Sequence, residues 1–110
     1  DGNTLATAHQ DGQVRLWDPR TAQLILEINA HTGWVRGVAW SPDGSFLAST
    51  GEDRRIVLWN PVTGQAYAEQ HHNRLPLWSV SWSPDGAMVA SGAGAYQQRH
   101  VGATILWGVP

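Results

Sequence analysis

The 110-residue chain contains no cysteine, which excludes disulfides and thiolate metal centres. The compartment stays open, because reducing and oxidising surroundings both tolerate that absence; a cytoplasmic location is the favoured expectation. Charge is scarce as well. Only 15% of the residues are Asp, Glu, Lys or Arg, and a formal charge of −2 gives no general affinity for nucleic acid or an anionic membrane. No apolar run approaches the ~20 residues that span a bilayer. The opening Asp1-Gly2-Asn3 has no Met and no basic-then-apolar signal pattern. Such a start is expected of a piece processed or excised from something longer. A phosphate loop is missing too: Gly92-Ala93-Gly94 lacks the Lys-Ser/Thr that should follow it and leads toward a strand, not a helix. With 42% hydrophobic residues, the composition is nonetheless globular.

Tryptophan, by contrast, is abundant, and the seven residues are placed with a period. Trp17 and Trp59 lie 42 apart, as do Trp40 and Trp82. Ser41-Pro42-Asp43-Gly44 returns 42 residues later as Ser83-Pro84-Asp85-Gly86. Leu5-Ala6 and Asp11 align in the same register with Leu47-Ala48 and Asp53. The last part falls out of step: Leu58-Trp59 maps to Leu106-Trp107, a shift of 48, so six extra residues lie between Gly92 and Thr104.

Each period reads as four short strands. In the second copy these are expected at 34–41, 45–50, 56–60 and 65–70. Ser-Pro-Asp-Gly suits the first tight turn: Pro presets φ, Asp bonds nearby backbone and Gly takes the positive φ. In the third strand Ile56 and Leu58 alternate with Val57 and Trp59, and both sets are apolar, which implies a sheet buried on both faces. Four strands per ~42 residues, covered on both sides, describe one blade of a β-propeller stacked between two others.

The run His31-Thr32-Gly33-Trp34-Val35-Arg36-Gly37-Val38-Ala39-Trp40-Ser41-Pro42-Asp43-Gly44, with Leu47-Ala48-Ser49, Asp53 and Leu58-Trp59-Asn60 after it, closely resembles the WD repeat. The resemblance covers essentially the whole chain, and its specificity lies in the combination of motifs at fixed offsets. It implies an all-β fold of four-stranded antiparallel blades. The expected strand order is b-c-d over residues 1–30, a-b-c-d over 31–72 and a-b-c over 73–110. That is about ten strands of an incomplete ring, since propellers typically close with 4–8 blades. Two readings compete: an excerpt of a longer propeller, favoured because the chain opens partway through a hairpin, or several copies that associate into a ring.

The resemblance also implies a structural hydrogen-bonded set of His, Ser or Thr, Asp and Trp. His31, Asp53 and Trp59 fill three places in the second repeat, and Asp11 and Trp17 fill two in the first. The hydroxyl place, two residues before the Asp, is Gly51 in one and His9 in the other, so the sets are expected to be incomplete, with His9 standing in for a hydroxyl. In the third repeat only His72 or Asn73 stands near the His place, and no Asp is evident. Trp107 repeats Trp17 and Trp59; Trp40 and Trp82 are expected between blades.

For partner binding, the resemblance points to the top face. Trp34 and Arg36, two apart at the start of an innermost strand, project to the same side. Glu52 precedes the turn Asp; Gln10 matches it in the first repeat, and Pro76 and Trp78 match Trp34 and Arg36 in the third. A Trp and Arg pair at a rim has hot-spot composition, against the plainer reading of a packed ring and a solvated charge. On the contact reading, Arg36→Ala leaves stability within about 0.5 kcal/mol while weakening any partner. Tyr96, Arg99 and His100 of the inserted loop are further contact candidates, unless that loop is merely tolerated.

Other chemistries find less support. His71 and His72 are adjacent, so their side chains point apart along a strand and make poor metal ligands. No metal site or cofactor is expected. Ser49, His31 and Asp53 have the residue types of a triad, but the resemblance makes them structural, with Ser49 off the hydrogen-bonding position. No catalysis is expected. The function that follows is recognition or scaffolding of protein partners, or of other domains of the parent chain. The alternatives are a sensory or regulatory propeller of a larger signalling protein (a nucleotide-driven switch, kinase or protease) and a self-associating fragment.

Overall fold

The computed structural model describes residues 3–71, 76–94 and 102–109, and of 93–94 and 102–106 the backbone alone. Ten strands run in chain order: β1 (Leu5–Ala8), β2 (Gln13–Asp18), β3 (Gln23–Asn29), β4 (Val35–Trp40), β5 (Leu47–Gly51), β6 (Arg55–Trp59), β7 (Ala66–His71), β8 (Leu77–Trp82), β9 (Met88–Gly94) and β10 (Gly102–Gly108). They form three separate antiparallel meanders, β1-β2-β3, β4-β5-β6-β7 and β8-β9-β10. No helix occurs among the described residues. In the second sheet the observed bounds differ from the sequence expectation by one or two residues, because strand ends are set by pairing that the local pattern does not reveal.

The Ser-Pro-Asp-Gly turn is built from its own side chains. Asp43 Oδ1 accepts from the Ser41 hydroxyl at 2.8 Å and the Ser45 N–H at 3.0 Å, and Phe46 N–H donates to Ser41 Oγ at 3.0 Å. The same bonds recur at Ser83, Asp85, Ala87 and Met88. Gly44 and Gly86 take the left-handed backbone, φ 76° and 74°, which only glycine adopts freely.

Two apolar layers hold the sheets together. Val14, Leu16 and Ile28 of the first sheet meet Val35, Leu47, Val57 and Trp59 of the second. From its other face the second sheet sends Ala48, Ile56 and Leu58 against Leu77 and Val89, with Val80, Trp82 and Trp107 at the margin. β6 is thus the expected double-faced strand, its odd residues packing backward and its even residues forward. The Trp82 indole donates to the Ala39 carbonyl at 3.0 Å across the second gap. Trp40 packs against the first layer.

The row is open at its start. Leu47 is 0% exposed, yet its counterpart Leu5 in the first sheet is 52% exposed. Leu5, Trp17, Pro19 and Ala22 line a cavity of about 390 Å³ on that uncovered face.

Candidate functional site: a buried histidine network and an aromatic rim

His31 is held between two partners. Its Nδ1 lies 2.8 Å from Asp53 Oδ1 and its Nε2 lies 2.7 Å from Ser49 Oγ. The Trp59 indole donates to the same Ser49 oxygen at 2.8 Å. One proton arrangement satisfies every atom: Trp59 N–H to Ser49 oxygen, Ser49 O–H to His31 Nε2, His31 Nδ1–H to the Asp53 carboxylate. Burial lowers the His31 pKa, opposed by the Asp53 charge beside it. Neutral imidazole suits the network, because its bare Nε2 is the acceptor of the Ser49 O–H.

This corrects the expectation drawn from Gly51. The hydroxyl comes from Ser49, and the second-repeat set is complete. Gly51 has another duty: a Cβ there would lie 2.7 Å from His31 Cγ and Nδ1, so the missing side chain makes room for the ring. The first sheet differs in kind. Thr7 Oγ1 accepts from the Trp17 indole at 2.9 Å and lies 2.7 Å from His9 Nε2. His9 therefore stands in for the histidine, not for the hydroxyl. Asp11 accepts from Gln13 N–H at 3.1 Å and from Arg15 Nη2 at 2.7 Å; the Arg15 bond is the first cause that holds its carboxyl below the usual range. The signal that locates the hydroxyls was present in the sequence, since Thr7, Ser49 and Ser91 share the 42-residue register. Ser91 Oγ donates to the Ser79 carbonyl at 2.8 Å.

Ser49, His31 and Asp53 are spaced like an acid, base and nucleophile. Ser49 is 0% exposed and already engaged by Trp59, so no substrate carbonyl reaches its oxygen. The arrangement braces β5 and β6 against the segment that leads into β4.

The second constellation is at the surface. The pairing of β4 with β5 slips between Val35 and Gly37, leaving Arg36 as a bulged residue, and that of β8 with β9 slips between Leu77 and Ser79, leaving Trp78. Bulges redirect a side chain and end regular pairing. Here they turn equivalent positions of neighbouring sheets toward one rim, while Val35 and Leu77 go into the core. Arg36 Cζ lies 4.3 Å from the Trp34 ring centroid and 5.7 Å from that of Trp78, within cation–π reach of both. Its Nε donates to Glu52 Oε1 at 2.7 Å, and Nη2 donates to the same oxygen. Glu52 N–H donates to the Trp34 carbonyl at 2.9 Å, which ties the β5–β6 turn to the start of β4. Trp34 stays 41% exposed and Trp78 37%.

Gln10 is exposed in the β1–β2 turn, where the neighbouring His9 carbonyl accepts the Val35 N–H at 3.0 Å. Pro76 is half-buried just ahead of β8. Tyr96, Arg99 and His100, like His72 and Asn73, lie outside the described residues. Sequence reasoning proposed Trp34, Arg36, Glu52 and Trp78 as neighbours on one face but did not foresee that Arg36 would sit between the two indoles.

Comparison with known proteins agrees with this architecture. The family model for the WD domain, G-beta repeat, matches residues 1–18, 22–60 and 65–96. Ribosome assembly protein 4 of Chaetomium thermophilum is 46% identical over 39 residues, 36% of this chain and 8% of that protein. Nuclear distribution protein PAC1 of Coccidioides posadasii is 49% identical over 42 residues, 38% of this chain and 9% of that protein. WD repeat-containing protein 1 of Mus musculus is 41% identical over 46 residues, covering 39% and 8%. The chain thus spans under a tenth of the curated relatives it matches. The solved β-propeller domain of Myceliophteria thermophila Cps50 (Swd1) superposes with a TM-score of 0.79 over 99% of this chain and 36% of that one, at 23% identity. Propellers of such repeats are generally non-catalytic scaffolds that bind other proteins. With matched repeats along most of its length, the chain belongs to the WD40, or G-beta, repeat family, and its three sheets are blades of a β-propeller.

Proposed function

We propose that this chain recognises protein partners through the rim formed by Trp34, Arg36, Glu52 and Trp78. The observation that carries the reading is one guanidinium held between two part-exposed indoles from adjacent blades. Trp and Arg are the residues in which interface binding energy concentrates. The ion pair with Glu52 orders the arginine before any partner arrives, so less rotamer entropy is lost on binding. Peptides selected from a random library on the intact protein test this. Their binding should collapse in the Trp34→Ala, Trp78→Ala double variant, while the fold loses no more than the two cation–π contacts contribute, about 1–2 kcal/mol. Selected peptides that bind the double variant equally well refute the rim.

A second reading rests on the uncovered first blade. The cavity beside Leu5 and Trp17 is apolar, and the equivalent face of the second blade is covered by the opposite face of the blade before it. A second copy that brought the far face of its third blade would cover it in the same way. Light scattering after size exclusion decides this: a discrete β-rich oligomer supports self-association, and a monomer removes it.

A further inference from the structure

We propose a second binding site, at the end of β4 opposite the rim, that takes a phenylalanine or tyrosine side chain of a partner polypeptide. It is a groove of about 300 Å³ between the first and second blades. Thr4, Leu16, Ile25, Trp40, Pro61 and Val62 are among its lining residues. The site does not depend on the rim, because Trp34 and Arg36 stand at the start of β4 and Trp40 ends it. Leu16 is buried in the first apolar layer and Trp40 packs against it, so the groove continues that layer outward. Exposed Ile25 and Val62 give it an apolar lip.

The second blade shows what fits. Thr4 and Ile25 recur 42 residues later as Phe46 and Tyr67. Ile25 and Tyr67 are equivalent in pairing as well: each is the bulged residue facing a Leu-Trp step, Leu16-Trp17 in one sheet and Leu58-Trp59 in the other. The rings of Phe46 and Tyr67 pack together, with centroids 4.7 Å apart and planes inclined at 34°. At the same two positions the first blade has a hydroxyl and a branched aliphatic side chain, and the groove lies against both. One blade thus carries in its own chain the aromatic group that its neighbour leaves to be supplied. A ring brought in against Ile25 and Trp40 buries apolar surface as Phe46 does on Tyr67.

The lining also selects the source of the ring. None of the described residues around the groove is charged, and their polar side-chain groups are the Thr4 hydroxyl and the Trp40 indole N–H. A free charged metabolite finds no counter-charge there and few converging groups to orient it. A side chain on a polypeptide needs neither, because the rest of its chain fixes its place and its flanking residues cover the apolar lip.

The test titrates the intact protein with the blocked peptide acetyl-Gly-Tyr-Gly-amide. Beside it run p-cresol, the free ring, and cyclohexanol, an aliphatic ring of similar size. The readout is the set of ¹⁵N indole signals. The peptide and p-cresol should shift the Trp40 signal saturably and leave those of Trp34 and Trp78 in place. The Thr4→Phe, Ile25→Tyr double variant rebuilds the ring pair of the second blade in the first, and it should weaken binding about tenfold or more. Val62→Asp, at an exposed position, charges the lip with little effect on the fold and should weaken binding too. If neither aromatic probe moves the Trp40 signal, the site is overturned. If cyclohexanol moves it equally, the groove is merely apolar and the aromatic assignment falls. A response to p-cresol without one to the peptide overturns the polypeptide source. Binding that survives both variants lies elsewhere and overturns the site as well. None of these results bears on the rim, whose peptides are read at Trp34 and Trp78.

Discussion

The ring of His31 occupies the space where a side chain on Gly51 would begin, 2.7 Å from the position of a Cβ. One blade earlier the equivalent residue is His9, and its own imidazole reaches the threonine that corresponds to Ser49. Two blades therefore place an imidazole nitrogen on the same hydroxyl, one by a residue 18 positions earlier and one by a residue two positions later.

The local and non-local solutions should be interchangeable. Gly51→His alone adds atoms where His31 already sits, at a cost of about 1–3 kcal/mol. His31→Ala alone strands the Ser49 hydroxyl and the Asp53 carboxylate, at a similar ~1–3 kcal/mol. In the double variant the new imidazole inherits the vacated space, so the combined loss should fall short of the sum by at least about 1 kcal/mol. Strict additivity in denaturant unfolding would show that the two blades do not share one design.

Acid should weaken the fold in two stages. Burial keeps the His31 pKa below its ordinary 6.5, so between the two values the unfolded chain binds the extra proton and is favoured. This stability is complete above about pH 6.5, declines as pH falls below it, and is exhausted once pH passes the lowered folded pKa. The carboxyls of Asp43 and Asp85 act lower down. Asp43 is held below 3.8 first by the Ser45 N–H, and Asp85 first by the Ser83 hydroxyl. Their contribution is present above about 3.8 and disappears as pH falls through their folded values. Melting temperature against pH should lose its first step, and keep its second, in His31→Gln. A first step that persists in that variant belongs to another group.

Much of this was legible before any coordinates. The 42-residue period, the double-faced third strand and the turn chemistry carried the fold, because Trp59, Ile56 and Asp43 each announce a local constraint. The hydroxyls of Ser49 and Thr7 escape a reading by offset from Asp, which points to Gly51 and His9 instead; the glycine marks no vacancy but a ring packed from elsewhere. The meeting of Arg36 with Trp78 was partly hidden for another reason. Bulges at both positions arise from pairing between strands, and the distance between neighbouring blades is written in no single repeat.

Trp59 and Trp17 occupy the same place in successive blades but not the same environment. Trp59 is 6% exposed within the first apolar layer, while Trp17 lines the uncovered cavity. Trp59→Ala should cost about 3–5 kcal/mol through lost burial and a residual void. Trp17→Ala should cost clearly less in the isolated chain, since its face already meets solvent. Equal losses would mean that the first blade is covered in solution, which a matching mass measurement would then have to show.

Arg36 closes the comparison between sequence and structure. Read from the sequence as a contact residue of the rim, it is expected to be truncated with little effect on stability. The side chain instead lies between two indoles and bonds twice to Glu52. An exposed ion pair contributes about 0–1 kcal/mol, and a cation–π contact at an exposed site about 0.5–1 kcal/mol. Arg36→Ala should therefore lower stability by about 1–2 kcal/mol, beyond a typical surface change. Arg36→Lys keeps the charge but loses the planar fork that stacks and bonds together, so it should recover only part of the loss. Denaturant midpoints of the two variants check this ordering. An alanine variant as stable as the parent would return Arg36 to the reading from sequence and leave the indoles without the brace that fixes them.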